Sequence, residues 1–324
     1  MARYVAKRIL LVVLTVLAAI FVLFVLLYAL PASPIRNLPV SNGGDALDRL
    51  FAFFQAGDTM LTKYIRYCYQ TLIRFDFRWP TNTTSWVLRD IPNRTRATLT
   101  MLVCGAGAAL VVGIPLGAYA AVHKNRGRDR FISIVTLLLS SIPNYAVAMV
   151  VALLFVVQWR LLPIVSRPLF PRAYIMPTIT IALGGVALFA RTMRAGMLEV
   201  LELPFVSALR ARGLKETRVL LLHVFRNALT PVVAVLGGFL SQMLCWTFVV
   251  ESFFTIPGLG LHILRAVSTR DYLGTLGCAV VISIILAVTN IAADILYACI
   301  DPRIRRRYET GRRGRPARER GAVG

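Results

Sequence analysis

Long apolar segments without charge are the feature that most constrains this chain. Residues 9–30 form 22 consecutive uncharged residues, preceded by Lys7 and Arg8 and followed by Pro31. At about 1.5 Å per residue, a helix of this length crosses the hydrocarbon core of a bilayer, which is roughly 30 Å thick. A secretory signal peptide has an apolar region of only about 7–15 residues. We therefore interpret 9–30 as a membrane-anchored helix.

Five further segments of this kind follow the first. They lie at 97–122, 131–157, 173–190, 228–250 and 272–300. The chain is 57% hydrophobic and 16% charged, whereas soluble domains are about 45–50% apolar and about 25% charged. The sequence therefore predicts an all-α polytopic membrane protein with six transmembrane helices.

Two of these segments carry residues that favour helix packing in lipid. The second contains four glycines, which allow close contact between helices where no hydrophobic force draws them together: Gly105, Gly107, Gly113 and Gly117. The third contains Ser140, Ser141, Pro143 and Asn144, which predict a kink whose freed backbone groups need polar neighbours. Both patterns favour a packed bundle over a set of single anchors.

The distribution of basic residues predicts the orientation. Lys and Arg number 23 in segments 1–8, 123–130, 191–227 and 301–324 together, against five in the short segments 158–172 and 251–271. Basic residues accumulate on the cytoplasmic side of membrane proteins, and long loops largely escape this rule. We therefore expect both termini in the cytoplasm and segment 31–96 outside, as a small, partly helical cap.

The basic C-terminal tail, 304–324, is poor in apolar residues, so we expect it to be disordered and to contact anionic lipid.

The sequence lacks the residues that several classes of function require. None of the four lysines is followed by Ser or Thr, so no Gly-Lys-Ser/Thr phosphate-binding loop exists in this chain. The five Cys and three His have neither disulfide-framework nor metal-ligand spacing. The net charge of +22 arises at span ends and in the tail, which argues against nucleic acid as a partner. We expect no enzyme activity, cofactor or metal in this chain.

The segment between the fourth and fifth spans predicts a short helix. Pro204 fits a first helical turn, and Gly213 fits a left-handed C-terminal stop. Arg210 and Arg212 near that stop complement the helix dipole. An amphipathic helix exposed between two spans is suited to docking in a groove on another protein.

The same region carries the motifs of a known family. Residues 210–214 read Arg-Ala-Arg-Gly-Leu, and 223–231 read His-Val-Phe-Arg-Asn-Ala-Leu-Thr-Pro. Residues 250–260 read Val-Glu-Ser-Phe-Phe-Thr-Ile-Pro-Gly-Leu-Gly, and 113–117 read Gly-Ile-Pro-Leu-Gly. In their order and spacing, these motifs resemble the permease subunits of ABC importers for dipeptides, oligopeptides and nickel. Ser207-Ala208-Leu209 stands where the triplet that names the family's EAA loop falls, without its acidic residue.

The resemblance implies a type I ABC importer permease fold with a short cytoplasmic coupling helix. It implies a bacterial cytoplasmic (inner) membrane protein that forms, with a sister permease, the path for peptides or a related small solute. Two separate ATPase subunits would bind ATP and Mg, and an extracytoplasmic binding protein would deliver the cargo. The cargo itself stays open between di- or oligopeptides, a nickel chelate, a glycan and an antimicrobial peptide.

The resemblance also implies three sets of functional residues. The ATPase-coupling set is Glu199, Glu202, Phe205, Arg210, Ala211, Arg212, Gly213 and Leu214. The set for an outer gate or binding-protein contact is Glu251, Phe254, Pro257, Gly258 and Gly260. The intramembrane polar pair, Asn290 and Asp294, is four residues apart on one helix face and either packs helices or lines the path.

A secondary transporter independent of ATP is the alternative function. Such a protein predicts duplicated halves and intramembrane acids. The sequence has no convincing internal repeat, and Asp294 is the single acid within the predicted spans.

Overall fold

The computed structural model of this chain describes residues 2–29, 60–73, 91–162, 171–269 and 271–300, which are helical with short connections and contain no strand. The helices are α1 (Ala2–Ala29), α2 (Met60–Cys68), α3 (Ile91–Val122), α4 (Gly127–Ser141), α5 (Asn144–Ala152), α6 (Ile175–Leu201), α7 (Pro204–Ala211), α8 (Glu216–Phe253), α9 (Leu259–Ser268) and α10 (Tyr272–Ile300). Turns of π-helix extend α2 over Tyr69–Ile73 and α5 over Leu153–Gln158. The predicted all-α fold is confirmed.

Four helices are long and apolar enough to cross a membrane, in α3, α6, α8 and α10. Two of these helices extend into the predicted loop 191–227. Helix α6 continues to Leu201, so residues 191–201 are helix, and α8 begins at Glu216, twelve residues before the predicted span. An apolar run marks the part of a helix that lies at membrane depth. The helix itself continues wherever good helix formers such as Arg, Met, Leu and Glu follow.

The predicted span 131–157 is not one kinked helix but two helices bent by 105°. Helix α4 ends at Ser141 and α5 begins at Asn144, with Pro143 between them. Pro143 has no N–H to continue the helical ladder. The hydroxyls of Ser140 and Ser141 donate to the Leu137 carbonyl at 2.8 and 2.9 Å, a local bond that competes with regular helix.

Helices α3 and α6 form the most extensive contact in the described residues. Gly105 meets Ile181, Gly113 meets Phe189 and Gly117 meets the Ala190 backbone, so both sequences advance in the same direction. The two helices are therefore parallel. Small residues at four-residue spacing allow this close approach, as in other helix pairs in membranes.

The parallel arrangement determines the path of the intervening chain. Because α3 and α6 run in the same direction, the chain between them returns to the opposite end of the bundle, and α4–α5 lies on this return. Counted as one broken span, the pair brings the number of candidate spans to five. Helix α1, Ala2–Ala29, contains most of the predicted first span. The count of six spans therefore stays a prediction.

The remaining helices pack around the α3–α6 pair. Helix α8 runs antiparallel to α6, with Gly196 near Pro231 and Gly185 under the ring of Phe239. Helix α10 packs on α8 and α1. A second apolar cluster joins α1, α2 and α10, with members Ile20, Phe24, Tyr67, Leu276 and Val280.

A partly buried ion pair joins the start of α4 to α6. Arg194 donates two hydrogen bonds to the Asp129 carboxylate, from Nε at 2.6 Å and from Nη2 at 2.8 Å. The backbone N–H of Asn125, which has a φ of 64°, donates to the same carboxylate at 2.9 Å. The turn between α3 and α4 is therefore held against α6.

Two predicted regions lie wholly or mostly outside the described residues. These are the tail 304–324 and, within the predicted outer segment 31–96, residues 31–59 and 74–90. Helix α2 supplies a helical part of that outer segment.

The α3–α6 contact predicts a difference between two glycine substitutions in one helix. A Cβ at residue 117 would overlap the Ala190 carbonyl, whereas a Cβ at Gly107 meets nothing within 4 Å. Overpacking of this kind costs about 1–3 kcal/mol. We expect Gly117→Ala to lower the melting temperature of the detergent-solubilised protein. Gly107→Ala should leave it unchanged or raise it, because Ala favours helix. Equal melting temperatures for the two variants would contradict the contact.

Candidate functional site

Helix α7 begins and ends where the sequence predicts. Pro204 occupies its first turn, and Gly213 follows its end with a φ of +76°, in the left-handed region. The N–H of Arg212 donates to the Ala208 carbonyl at 3.1 Å, and that of Gly213 to the Arg210 carbonyl at 2.9 Å. A residue with a Cβ is strained at this φ, which explains glycine at position 213.

Helix α7 has one face packed on the bundle and one exposed. Val206 is 0% exposed, and Leu209 packs against the core cluster. On the other side, Ala211 and Arg212 are exposed, and Phe205 is 38% exposed beside them. The helix is thus fixed to the spans while presenting small, aromatic and cationic side chains to a neighbour.

Arg210 forms an ion pair within the chain. Its Nε and Nη2 donate to the two carboxylate oxygens of Glu216 at 3.0 and 2.7 Å, and both side chains are about half exposed. This bidentate hydrogen bonding raises the pKa of the Arg210 guanidinium. The pair links the end of α7 to the start of α8 across the Gly213 turn. Sequence reasoning missed Glu216, although an opposite charge six residues after Arg210 across a turn could have indicated it.

The other predicted coupling residues lie at the same end of the bundle. Glu202 is exposed and accepts a hydrogen bond from Lys124 Nζ at 3.2 Å, which joins the end of α6 to the α3–α4 turn. Glu199 is exposed on α6, and Leu214 is half-buried against the core. These residues and α7 therefore form one surface; their role in coupling stays a prediction.

At the opposite end, the Glu251 carboxylate is a buried junction of three helices. Glu251 lies in the last turn of α8 and is 0% exposed. Its carboxylate accepts hydrogen bonds from Thr98 Oγ1 on α3 at 2.6 Å and from the N–H groups of Gly260 and Leu261 at 2.7 and 3.1 Å. Thr98 Oγ1 in turn accepts from the Leu259 N–H at 2.9 Å.

This junction satisfies the free N–H groups at the start of α9. The first turn of a helix leaves its N–H groups without intrahelical acceptors and carries partial positive charge. Here Gly258, which has no capping side chain, precedes the helix, so the acceptors come from α3 and α8. A Cβ at Gly258 would overlap the Glu251 carboxyl, and one at Gly260 would meet the Phe248 backbone at 2.6 Å. Glycine is therefore required at position 258 by the close approach of the carboxylate, and at position 260 by the close approach of Phe248.

Most residues of the predicted outer-gate or binding-protein set are buried. Glu251 and Phe254 are 0% and 2% exposed, and Gly258 and Gly260 are buried, so these four offer no surface to a binding protein in this conformation. Only Pro257 of the predicted set is partly exposed. The role of this segment as an outer gate or a binding-protein contact stays a prediction.

The predicted intramembrane polar pair is described in part. Asn290 on α10 accepts a hydrogen bond from Ser241 Oγ on α8 at 2.8 Å, which is a helix-packing contact. The side chain of Asp294 lies outside the described part of the chain. Among the described residues, no group of three or more His, Cys, Asp or Glu side chains could hold a metal ion.

The three-helix junction predicts that Thr98 contributes more to stability than Thr100, its neighbour on the same helix. Thr98→Val removes both a donor to Glu251 and an acceptor for Leu259, at a cost of about 2–3 kcal/mol because buried groups lose partners. Thr100 Oγ1 donates only to the Arg96 carbonyl, at 2.8 Å. We expect Thr98→Val to lower the melting temperature by several degrees and Thr100→Val to have little effect. A Thr98→Val protein that melts like the unmodified chain would disprove the junction.

Comparison with known proteins identifies the family to which this chain belongs. Residues 113–306 match the family described as "Binding-protein-dependent transport system inner membrane component". The dipeptide transport system permease protein DppB of Bacillus subtilis is 32% identical over 311 residues, which cover 94% of this chain and 98% of that protein. The glutathione transport system permease protein GsiC of Escherichia coli K12 is 30% identical over 305 residues, covering 94% of this chain and 99% of that protein.

Among solved structures, the inward-facing MetNI methionine ABC transporter matches with a TM-score of 0.55 at 16% identity, over 68% of this chain and 100% of that chain. At this identity the likeness shows the fold alone, which is that of an ABC importer permease. The family and the relatives together decide against a secondary transporter. This chain is a multi-pass membrane protein that belongs to the binding-protein-dependent transport inner membrane components, as a permease subunit of an ABC importer.

Proposed function

We propose that this permease subunit carries peptides, or a related small solute, through a path formed with a sister permease, and that α7 couples the path to two ATPase subunits. The observation that carries the proposal is α7 itself. It is a short helix between two spans, packed on one side and exposed on the other. ATP and Mg would bind in the ATPase subunits.

The proposed cargo class comes from the relatives. The names of the two full-length relatives specify dipeptides and glutathione, both of which are short peptides. Identity of about a third over nearly the whole chain supports the same chemical class here.

The proposed orientation puts α7 in the cytoplasm. The end of the bundle with α7 also carries Lys124, Arg126, Arg128 and Arg130 in and next to the α3–α4 turn. Basic residues of short loops favour the cytoplasmic side. The α9 end would then face outward, towards an extracytoplasmic binding protein.

The proposed coupling is mechanical. Val206 fixes α7 to the bundle, and the Arg210–Glu216 pair fixes its end to α8. Closure of the ATPase subunits on ATP would move α7, and the rigid helices α6 and α8 would carry that movement to the opposite end.

Co-purification tests the partners directly. We would tag the chain, extract it from its native membrane in mild detergent, and identify bound proteins by mass spectrometry. A second polytopic permease and one or two ATPases with phosphate-binding loops are the expected partners. Peptide uptake should be stopped by vanadate and not by an uncoupler. A stable chain without an ATPase in several detergents, or uptake that resists vanadate, would refute the proposal.

The exposed face of α7 predicts a docking variant. Aromatic side chains at the centre of an interface contribute a large share of its binding energy. We expect Phe205→Asp to lower the amount of ATPase recovered with the permease roughly tenfold, with a matching loss of uptake. The control is Arg126→Ala, an exposed cation at the same end of the bundle. If both variants recover ATPase like the unmodified protein, α7 is not the docking element.

The Arg210–Glu216 pair predicts rescue by charge exchange. Arg210→Glu places two carboxylates together, so we expect it to release the end of α7 and lower ATP-coupled uptake. The double variant Arg210→Glu/Glu216→Arg restores opposite charges and should recover most of the uptake. Uptake by both variants should be compared at equal membrane expression. A double variant as defective as Arg210→Glu alone would mean that Arg210 acts by contacting the ATPase.

A further inference from the structure

A cavity of about 530 Å³ opens between the α4–α5 break, α6 and α8. Because the chain bends by 105° at Ile142 and Pro143, α4 and α5 leave a space there. Helices α6 and α8 form the opposite wall of that space. A volume of this size lies in the range of about 300–1,000 Å³ that small-ligand sites occupy.

One cation lines this cavity. Arg191 lies on α6, ten residues before the helix ends at Leu201, within the membrane-spanning helix Arg172–Leu201. Its Nε donates to the Ala187 carbonyl at 3.2 Å, and its Nη groups donate to no acceptor among the described residues. Arg191 is the first residue after the apolar run 173–190, so it lies at the end of the span next to the basic segment 191–227.

The rest of the lining is neutral and partly polar. The described lining residues include no Asp or Glu. The amides of Asn144 and Gln242 line the cavity and make no hydrogen bond with other described side chains or backbone groups. Phe239 and Trp246 supply apolar surface. The cavity therefore combines one free guanidinium, two free amides and aromatic walls.

We propose that this cavity, called here the Arg191 cavity, receives the C-terminal carboxylate of a transported peptide on the Arg191 guanidinium. A guanidinium pairs with a carboxylate through two parallel hydrogen bonds. The amides of Asn144 and Gln242 suit the peptide groups that follow the carboxylate, because an amide both donates and accepts. The absence of an acid among the described lining residues favours the carboxyl end over the amino end. This inference rests on the proposed peptide cargo.

The experiment measures protection of a cysteine in the cavity. The five native cysteines are replaced by alanine, Ser141→Cys is added as the reporter, and the chain is purified with its partner subunits in nanodiscs. Labelling of the reporter by the neutral reagent N-ethylmaleimide is then timed with trialanine or with trialaninamide, which lacks the carboxylate. Trialanine is expected to slow labelling, and trialaninamide is not. Ser268→Cys, exposed on α9, is the control that neither peptide protects.

Substitution of Arg191 supplies the second comparison. With Arg191→Gln, trialanine should be needed at roughly ten- to hundredfold higher concentration for the same protection, because hydrogen bonds to a charged group are lost. Arg191→Lys should keep part of the protection, since the charge remains. Equal protection by the two peptides, or protection unchanged in Arg191→Gln, would overturn the inference.

Two further readouts separate the causes of a failure. Loss of the sister permease from purified Arg191→Gln would mean that Arg191 pairs with a carboxylate on that subunit, which also overturns the inference. Vanadate-sensitive uptake without carboxylate-dependent protection refutes the Arg191 cavity and leaves the proposed function standing. An importer without ATPase subunits refutes the proposed function itself.

Discussion

The close approach of α3 and α6 is the contact on which the rest of the structure depends. Gly105, Gly113 and Gly117 bring the backbones together, and the contacts fix the two helices as parallel. Parallel helices require the intervening chain, which contains the α4–α5 pair, to return to the opposite end of the bundle. Helix α8, which runs from α7 to α9, places α7 at one end of the bundle and α9 at the other. The bend in the α4–α5 pair opens the Arg191 cavity between them.

The two ends of the bundle are held by different physical means. At the α7 end, the links Lys124–Glu202 and Arg210–Glu216 join exposed side chains, which contribute little stability because water screens them. At the α9 end, the Glu251 carboxylate and Thr98 are fully desolvated, and each lost hydrogen bond leaves a buried group without a partner. The α7 end can therefore change its conformation at a lower cost in free energy than the α9 end.

Sequence reasoning succeeded for features that are determined by residues close together in the chain. Pro204 and Gly213 fixed the limits of α7, because ring geometry and a left-handed φ allow few alternatives. It failed where partners come from distant segments. It did not identify Thr98 as the partner of Glu251, because 153 residues separate the two in sequence. The bend at Pro143 was expected as a kink, and its 105° angle depends on how α4 and α5 pack on α6.

The sequence by itself determined the class of protein, the positions of the apolar spans in α3, α6, α8 and α10, the limits of α7 and the family. These follow from apolar runs, charge placement and motifs, which act over a few residues or over one helix. Only the tertiary structure decided that Arg210 pairs with Glu216, that Glu251 caps α9, and that Arg191 faces a cavity. The physical reason is that a hydrogen bond depends on the distance between two atoms, and that distance is set when the helices pack.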